Sequence, residues 1–150
     1  MIPASPIHAT AVACRIGGEW RGVLLTGPSG AGKSDLALRL VGLGWRLVAD
    51  DYTEVWASGG RVFATAPTRI AGRIEARGVG IVDSPPRRLA RIALVVACGQ
   101  TPPERMPEPV TTRVAGLDLP LLALDIRPAS APRTVALALS AALARGLRQD

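Results

Sequence analysis

The sequence predicts an α/β fold with a strand-rich core and few helices, built around one phosphate-binding loop. Three observations carry this expectation. Gly22-Val23-Leu24-Leu25-Thr26, a short apolar run, leads into Gly27-Pro28-Ser29-Gly30-Ala31-Gly32-Lys33-Ser34, and Asp35 to Val41 follows with apolar residues at helical spacing. Most of the remaining chain divides into short apolar runs punctuated by Gly and Pro, the pattern of strands and turns. One further stretch, Arg133 to Leu147, is rich in alanine and leucine and reads as a closing helix. This is not a regular alternation of strands and helices.

Taken in order, Ile7 to Ile16 reads as a strand and Gly17-Gly18 as a hairpin turn. Arg21 to Thr26 is the return strand into the glycine loop. The helix after the loop runs from about Gly32 to Leu43 and stops at Gly44, a C-cap residue. Trp45 to Ala49 is a short buried strand that ends in Asp50-Asp51. Val55–Ala57 and Arg61–Ala64 form a second hairpin about Gly59-Gly60. Ile70 to Val82 carries Glu75 between Arg73 and Arg77, and Ser84-Pro85-Pro86 breaks it. Ile92 to Ala97 is a strongly apolar strand, and Thr101 to Pro109, with four prolines, is loop. Leu119 to Ile126 is a strand interrupted by Pro120.

Bulk properties set the frame. A chain of 150 residues suits one domain, 1–150, with one core. Hydrophobic residues make up 48% but aromatics only 3%, so Ala, Leu and Val must fill the interior. No apolar run of about 18 residues predicts a membrane span, and the first residues lack the basic and apolar parts of a signal peptide; a cytoplasmic protein is expected. Cys14 and Cys98 match no zinc or disulfide spacing and are expected to act as small core residues. The net charge of +6 comes almost wholly from scattered arginines, Lys33 being the only lysine. With so few aromatics to stack on bases, that balance points to a polyanionic nucleotide and an acidic protein partner rather than to nucleic acid.

Residues 27–34 fit the pattern Gly-x-x-x-x-Gly-Lys-Ser of a P-loop, or Walker A motif. Strand, glycine loop and helix bring free backbone N–H groups and a helix N-terminus to a polyphosphate. Gly27, Gly30 and Gly32 let phosphate oxygens approach the main chain. Lys33 is expected near the β- and γ-phosphates, and the Ser34 hydroxyl on a Mg²⁺ that bridges them. Asp50 and Asp51 close an apolar strand, where such enzymes place an acid for the metal. Two adjacent carboxylates repel unless a cation relieves them, so one is expected to serve the metal and the other to accept a proton from a hydroxyl. Glu75 suits either a metal or a pairing with its flanking arginines, and His8 suits either a catalytic or a structural role.

Together, Gly22–Ser34, Gly44-Trp-Arg-Leu-Val-Ala-Asp-Asp51 and Ile74-Glu-Ala-Arg-Gly-Val-Gly-Ile81 resemble the catalytic domain of HPr kinase/phosphorylase. That family phosphorylates a serine of HPr, a phosphocarrier of the bacterial phosphotransferase system. The resemblance covers about Ile7 to Leu147 and implies a P-loop kinase fold of the HPr kinase/phosphoenolpyruvate carboxykinase type, here without the family's N-terminal domain. It implies ATP and Mg²⁺ as cofactors, an HPr-like partner, a homo-oligomer (hexameric in the family), no nucleic acid and no membrane.

By the same resemblance His8 matches the active-site histidine, Lys33 the phosphate-binding lysine and Ser34 the metal-binding serine. Asp51 matches the acid that deprotonates the acceptor serine, Asp50 its acidic neighbour on the metal, Glu75 a metal-binding glutamate and Arg105 a catalytic arginine. The chain departs from the family's pattern in two places. The segment after Ile81 is short. Arg127-Pro128-Ala129-Ser130-Ala131 stands where the family has an arginine-proline-glycine-arginine-asparagine loop tied to dephosphorylation. The expectation is therefore a serine kinase with weak or no reverse phosphorylase activity. The alternatives are a P-loop kinase for another substrate and a nucleotide-sensing module without turnover.

Overall fold

A computed structural model describes residues 5–149. The strands are β1 (Ser5–His8), β2 (Thr10–Ile16), β3 (Glu19–Thr26), β4 (Arg46–Ala49), β5 (Tyr52–Ser58), β6 (Arg61–Thr65), β7 (Arg73–Ala76), β8 (Gly80–Asp83), β9 (Ala90–Gly99), β10 (Val110–Val114) and β11 (Leu117–Asp125). Two α-helices accompany them, α1 (Lys33–Val41) and α2 (Ala131–Gln149), with a 3-10 turn at Thr68–Ile70. Among the described residues no helix is long and apolar enough to cross a membrane.

Nine strands form one sheet with the path β1-β5-β6-β9-β3-β2-β4, and β11 joins β9 while carrying β10 on its other side. β9 is the hub. It pairs in parallel with β3 along Gly22–Thr26 and with β11 along Leu121–Asp125, and antiparallel with β6 near its start. Because side chains alternate along a strand, each central strand feeds two cores. Val12, Val23, Leu25, Leu94 and Val96 face Leu36 and Leu40 of α1 and Val135 and Leu139 of α2. Ala11, Ala13, Leu24, Val62 and Val95 face the other way, in a cluster half made of alanine. The small side chains suit a sheet that curls until β4, at one end of the path, meets β6. β7 and β8 form a separate hairpin against α1.

Three differences from the sequence reading matter. The stretch Ile7 to Ile16 is two strands. β1 pairs with β5 while β2 pairs with β3 and β4, so the chain changes partners at Ala9. Ile70 to Val82 is a turn and a hairpin rather than one segment. Pro120 does not interrupt its strand: pairing to β9 begins only at Leu121, so the missing N–H falls outside that ladder. Cys98 is buried in the core, and burial pushes its thiol up to about 11. Cys14 is half-buried against the same core.

Candidate functional site

β3 delivers the chain to Gly27 in the middle of the sheet, and α1 begins at Lys33. Between them the backbone turns through Gly27 (φ 140°), Gly30 (φ 83°) and Gly32 (φ 95°). At Gly27 a Cβ would stand 2.9 Å from the Cys98 carbonyl oxygen, which the ladders of β9 hold in place. Gly27→Ala is therefore expected to cost roughly 3 kcal/mol, strain and overpacking together. In a chain of this size that lowers Tm by about 10 °C in a thermal melt; an unchanged Tm would show that the loop tolerates a side chain.

Lys33 is 6% exposed and closes back over the loop, its Nζ donating to the Gly27 carbonyl at 2.7 Å and the Pro28 carbonyl at 3.1 Å. An ammonium has three protons, so one remains for an incoming anion. The loop from Ser29 to Ser34 lines a cleft of about 840 Å³ together with Asp50, Asp51, Arg69, Arg73 and Glu75.

The two adjacent aspartates have different surroundings. Asp50 is 8% exposed and is matched by three donors. Its Oδ1 accepts from the Ser34 hydroxyl at 2.6 Å and the Thr10 hydroxyl at 3.1 Å, and its Oδ2 from the Glu75 backbone N–H at 3.0 Å. These bonds offset the cost of burying a carboxylate. Asp51 is exposed, and its Oδ1 lies 2.8 Å from His8 Nε2. Its φ of 69°, with the Tyr52 N–H donating to the Asp50 carbonyl at 2.7 Å, has the features of the strained γ-turn. A non-glycine residue in the left-handed region costs of order 1–2 kcal/mol, so the surroundings must hold it there.

The hairpin supplies a charged wall. Along β7 the exposed residues Arg73 and Glu75 alternate with the buried Ile74 and Ala76, which turns Arg73 and Glu75 to one face of the strand; Arg77, just beyond it, also reaches the cleft. Among the described residues the Glu75 carboxylate forms no ion pair with either arginine. Arg69 and Arg77 escaped the sequence reading as cleft residues, although the two-residue alternation of Arg73-Ile74-Glu75-Ala76-Arg77 is a signal for Arg77. Arg105 lies in the exposed loop between β9 and β10 and is not among the residues lining the cleft.

The back of the site is tied down by arginines. Arg39 of α1 donates to the Ile126 carbonyl at 2.7 Å, and Ile126 packs on Gly32. Arg127 Nε and its backbone N–H both reach Asp125 Oδ1 at 3.0 Å, and its Nη2 bonds Asp125 Oδ2 and the Gln100 carbonyl. The guanidinium hydrogen bonds, then the backbone one, hold the Asp125 carboxyl below the usual carboxylate range. A lowered folded-state value means stability that is present above the ordinary carboxylate pKa and lost as pH falls through the folded one. Asp125→Asn is thus expected to melt below the parent near pH 7, with the gap closing as the pH falls through the lowered folded-state value; a gap independent of pH would contradict this.

The oxygen donors of Ser34, Asp50 and Glu75 suit a hard cation such as Mg²⁺, which binds through one or two carboxylates and otherwise keeps water or phosphate ligands. Among the described residues no group of three or more His, Cys, Asp and Glu side chains is placed to hold a metal ion.

Residues 4–86 match the model of the HPr Serine kinase C-terminal domain. The chain belongs to this family. Among relatives of this HPr kinase domain, it is 36% identical over 120 residues to an HPr kinase/phosphorylase of Brevibacillus brevis, covering 71% of this chain and 39% of that protein. It is 40% identical over 142 residues to the HPr kinase/phosphorylase of Aromatoleum aromaticum, covering 81% and 42%. The chain thus spans about two-fifths of the length of these relatives. The Hpr(Ser) kinase/phosphatase structure from Coxiella burnetii superposes with a TM-score of 0.75 over 97% of this chain and 93% of that one. At 24% identity this likeness speaks for the HPr kinase fold alone.

Proposed function

We propose that this HPr kinase domain is an ATP- and Mg²⁺-dependent protein serine kinase acting on an HPr-type phosphocarrier. One observation carries the reading: an exposed carboxylate, Asp51, paired with His8, lines the same cleft as a glycine loop whose lysine and serine are already oriented. In this reading residues 27–34 are the P-loop. Its backbone N–H groups and Lys33 bind the β- and γ-phosphates. Ser34 and Glu75 hold the metal, and Asp50 orients the Ser34 hydroxyl from behind. Mg²⁺, when bound, supplies charge neutralisation on the phosphates.

Asp51 accepts the proton of the acceptor serine hydroxyl as its oxygen bonds to the γ-phosphorus and the bond to the β–γ bridging oxygen breaks. His8 fixes the Asp51 carboxylate. Arg73 and Arg77 face the place where negative charge collects, while the charge-stabilising role of Arg105 requires its loop to fold towards the cleft.

Weak or absent phosphorolysis is part of the proposal. It is supported by Arg127 being engaged by Asp125 and Gln100, with Ala129 and Ser130 bringing no second guanidinium. A cytoplasmic homo-oligomer, with no part for membrane or nucleic acid, completes the reading.

The test is transfer from labelled ATP with Mg²⁺ to HPr. The expected result is label on one HPr serine. No label, under conditions in which a known HPr kinase labels the same HPr, sinks the proposal.

A further inference from the structure

Thr10 belongs to none of the roles above, yet it touches both aspartates. It opens β2 and is fully buried. Its hydroxyl donates its proton to Asp50 Oδ1 at 3.1 Å and accepts the Asp51 backbone N–H at 3.1 Å. A hydroxyl has one proton to give, so the direction of both bonds is set.

The two bonds do different work. The first is one of two hydroxyl bonds on the oxygen that also receives Ser34, so it helps to hold that oxygen where Ser34 meets it. The second holds the Asp51 N–H on the outer side of the left-handed turn, while Tyr52 N–H closes the inner side. Thr10 is itself anchored. The preceding Ala9 carbonyl accepts from the buried Thr53 hydroxyl at 2.8 Å. His8, two residues earlier, meets Asp51 from the same chain segment.

We propose that Thr10 is a positioning residue of the reaction: its hydroxyl sets the arrangement of the two carboxylates, keeping Asp50 on Ser34 and Asp51 on His8. The proposal rests on the kinase reading for its kinetic consequences but not for its structural one. A side chain of the same shape without the hydroxyl leaves the Asp51 N–H unpaired inside the protein and removes a donor from Asp50, so the strained turn relaxes.

The experiment compares wild type, Thr10→Val and Thr10→Ser by transfer kinetics, ATP affinity and NMR of the imidazole ring. The chain has one histidine, so the ring signals belong to His8 without assignment. Thr10→Val is expected to lower kcat about 10- to 100-fold with the Kd for ATP within about threefold, and to move the His8 ring signals. Thr10→Ser is expected to return both kcat and the ring signals towards wild type. Thr10→Ala carries the same expectations if Thr10→Val does not fold.

Thr10→Val transferring at the wild-type rate, or Thr10→Ser being as defective as Thr10→Val, overturns the proposal. If wild type itself transfers nothing to HPr, the kinase reading fails and the ring signals decide the matter. Signals shifted in Thr10→Val and restored in Thr10→Ser support the positioning role, and unmoved signals overturn it.

Discussion

Lys33→Met is expected to lower kcat/KM for transfer from ATP by about 1,000-fold, or roughly 4 kcal/mol. Methionine keeps most of the length and apolar volume of the stem and removes the charge with its N–H donors. That charge is 6% exposed and donates to two loop carbonyls at 2.7 and 3.1 Å, so it acts in surroundings where electrostatic interactions are screened little.

Stability is expected to respond far less. The variant loses two hydrogen bonds but also the cost of burying an ammonium, and these oppose each other. A Tm within about 3 °C of wild type is the expected result for a net change near 1 kcal/mol. A calorimetric melt beside the transfer assay separates the two effects. Transfer within tenfold of wild type would remove Lys33 from the chemistry; a collapse of Tm would make it a structural lysine.

Asp51→Asn is expected to lower kcat about 1,000-fold, within the range that general-base catalysis contributes. The change is close to isosteric and leaves an oxygen for His8, but the amide cannot take the serine proton. ATP affinity is expected to stay within about threefold, because Asp51 hydrogen-bonds His8 and, among the described residues, makes no hydrogen bond to residues 27–34, the proposed P-loop. Tm should hold or rise, since asparagine tolerates a φ of 69° at least as well as aspartate does. Loss of kcat without loss of stability or nucleotide binding is the signature to look for. An Asp51→Asn protein with unchanged kcat would move the base elsewhere.

Much of the local architecture was legible in the chain. Gly17-Gly18 and Gly59-Gly60 are two-residue hairpin turns between paired strands, as expected. Glycine loop and helix fall where the pattern puts them. The hairpin of β10 and β11 was missed because its turn is Ala115-Gly116, with an alanine at φ 50°, and alanine is not a turn signal. The break at Ala9 was missed because apolar residues run on either side of it. What changes there is the neighbouring strand, and that is a long-range fact.

The candidate site divides along the same line. Gly27–Ser34 and the Asp50-Asp51 pair stand out by residue type and spacing, whereas Glu75 and His8 stand out only through the family resemblance. The division of labour between Asp50 and Asp51 does not, nor does the part played by Thr10. Residue 50 gathers hydrogen bonds from residues 10, 34 and 75, three contacts that no local window contains. By itself the sequence determined a strand, glycine loop and helix, because backbone conformation there follows from nearby glycines and apolar spacing. Only the tertiary structure decided which carboxylate is buried and which is exposed. Burial depends on the packing of β2, β4, α1 and the β7–β8 hairpin around it, and two neighbouring aspartates are identical until that packing is made.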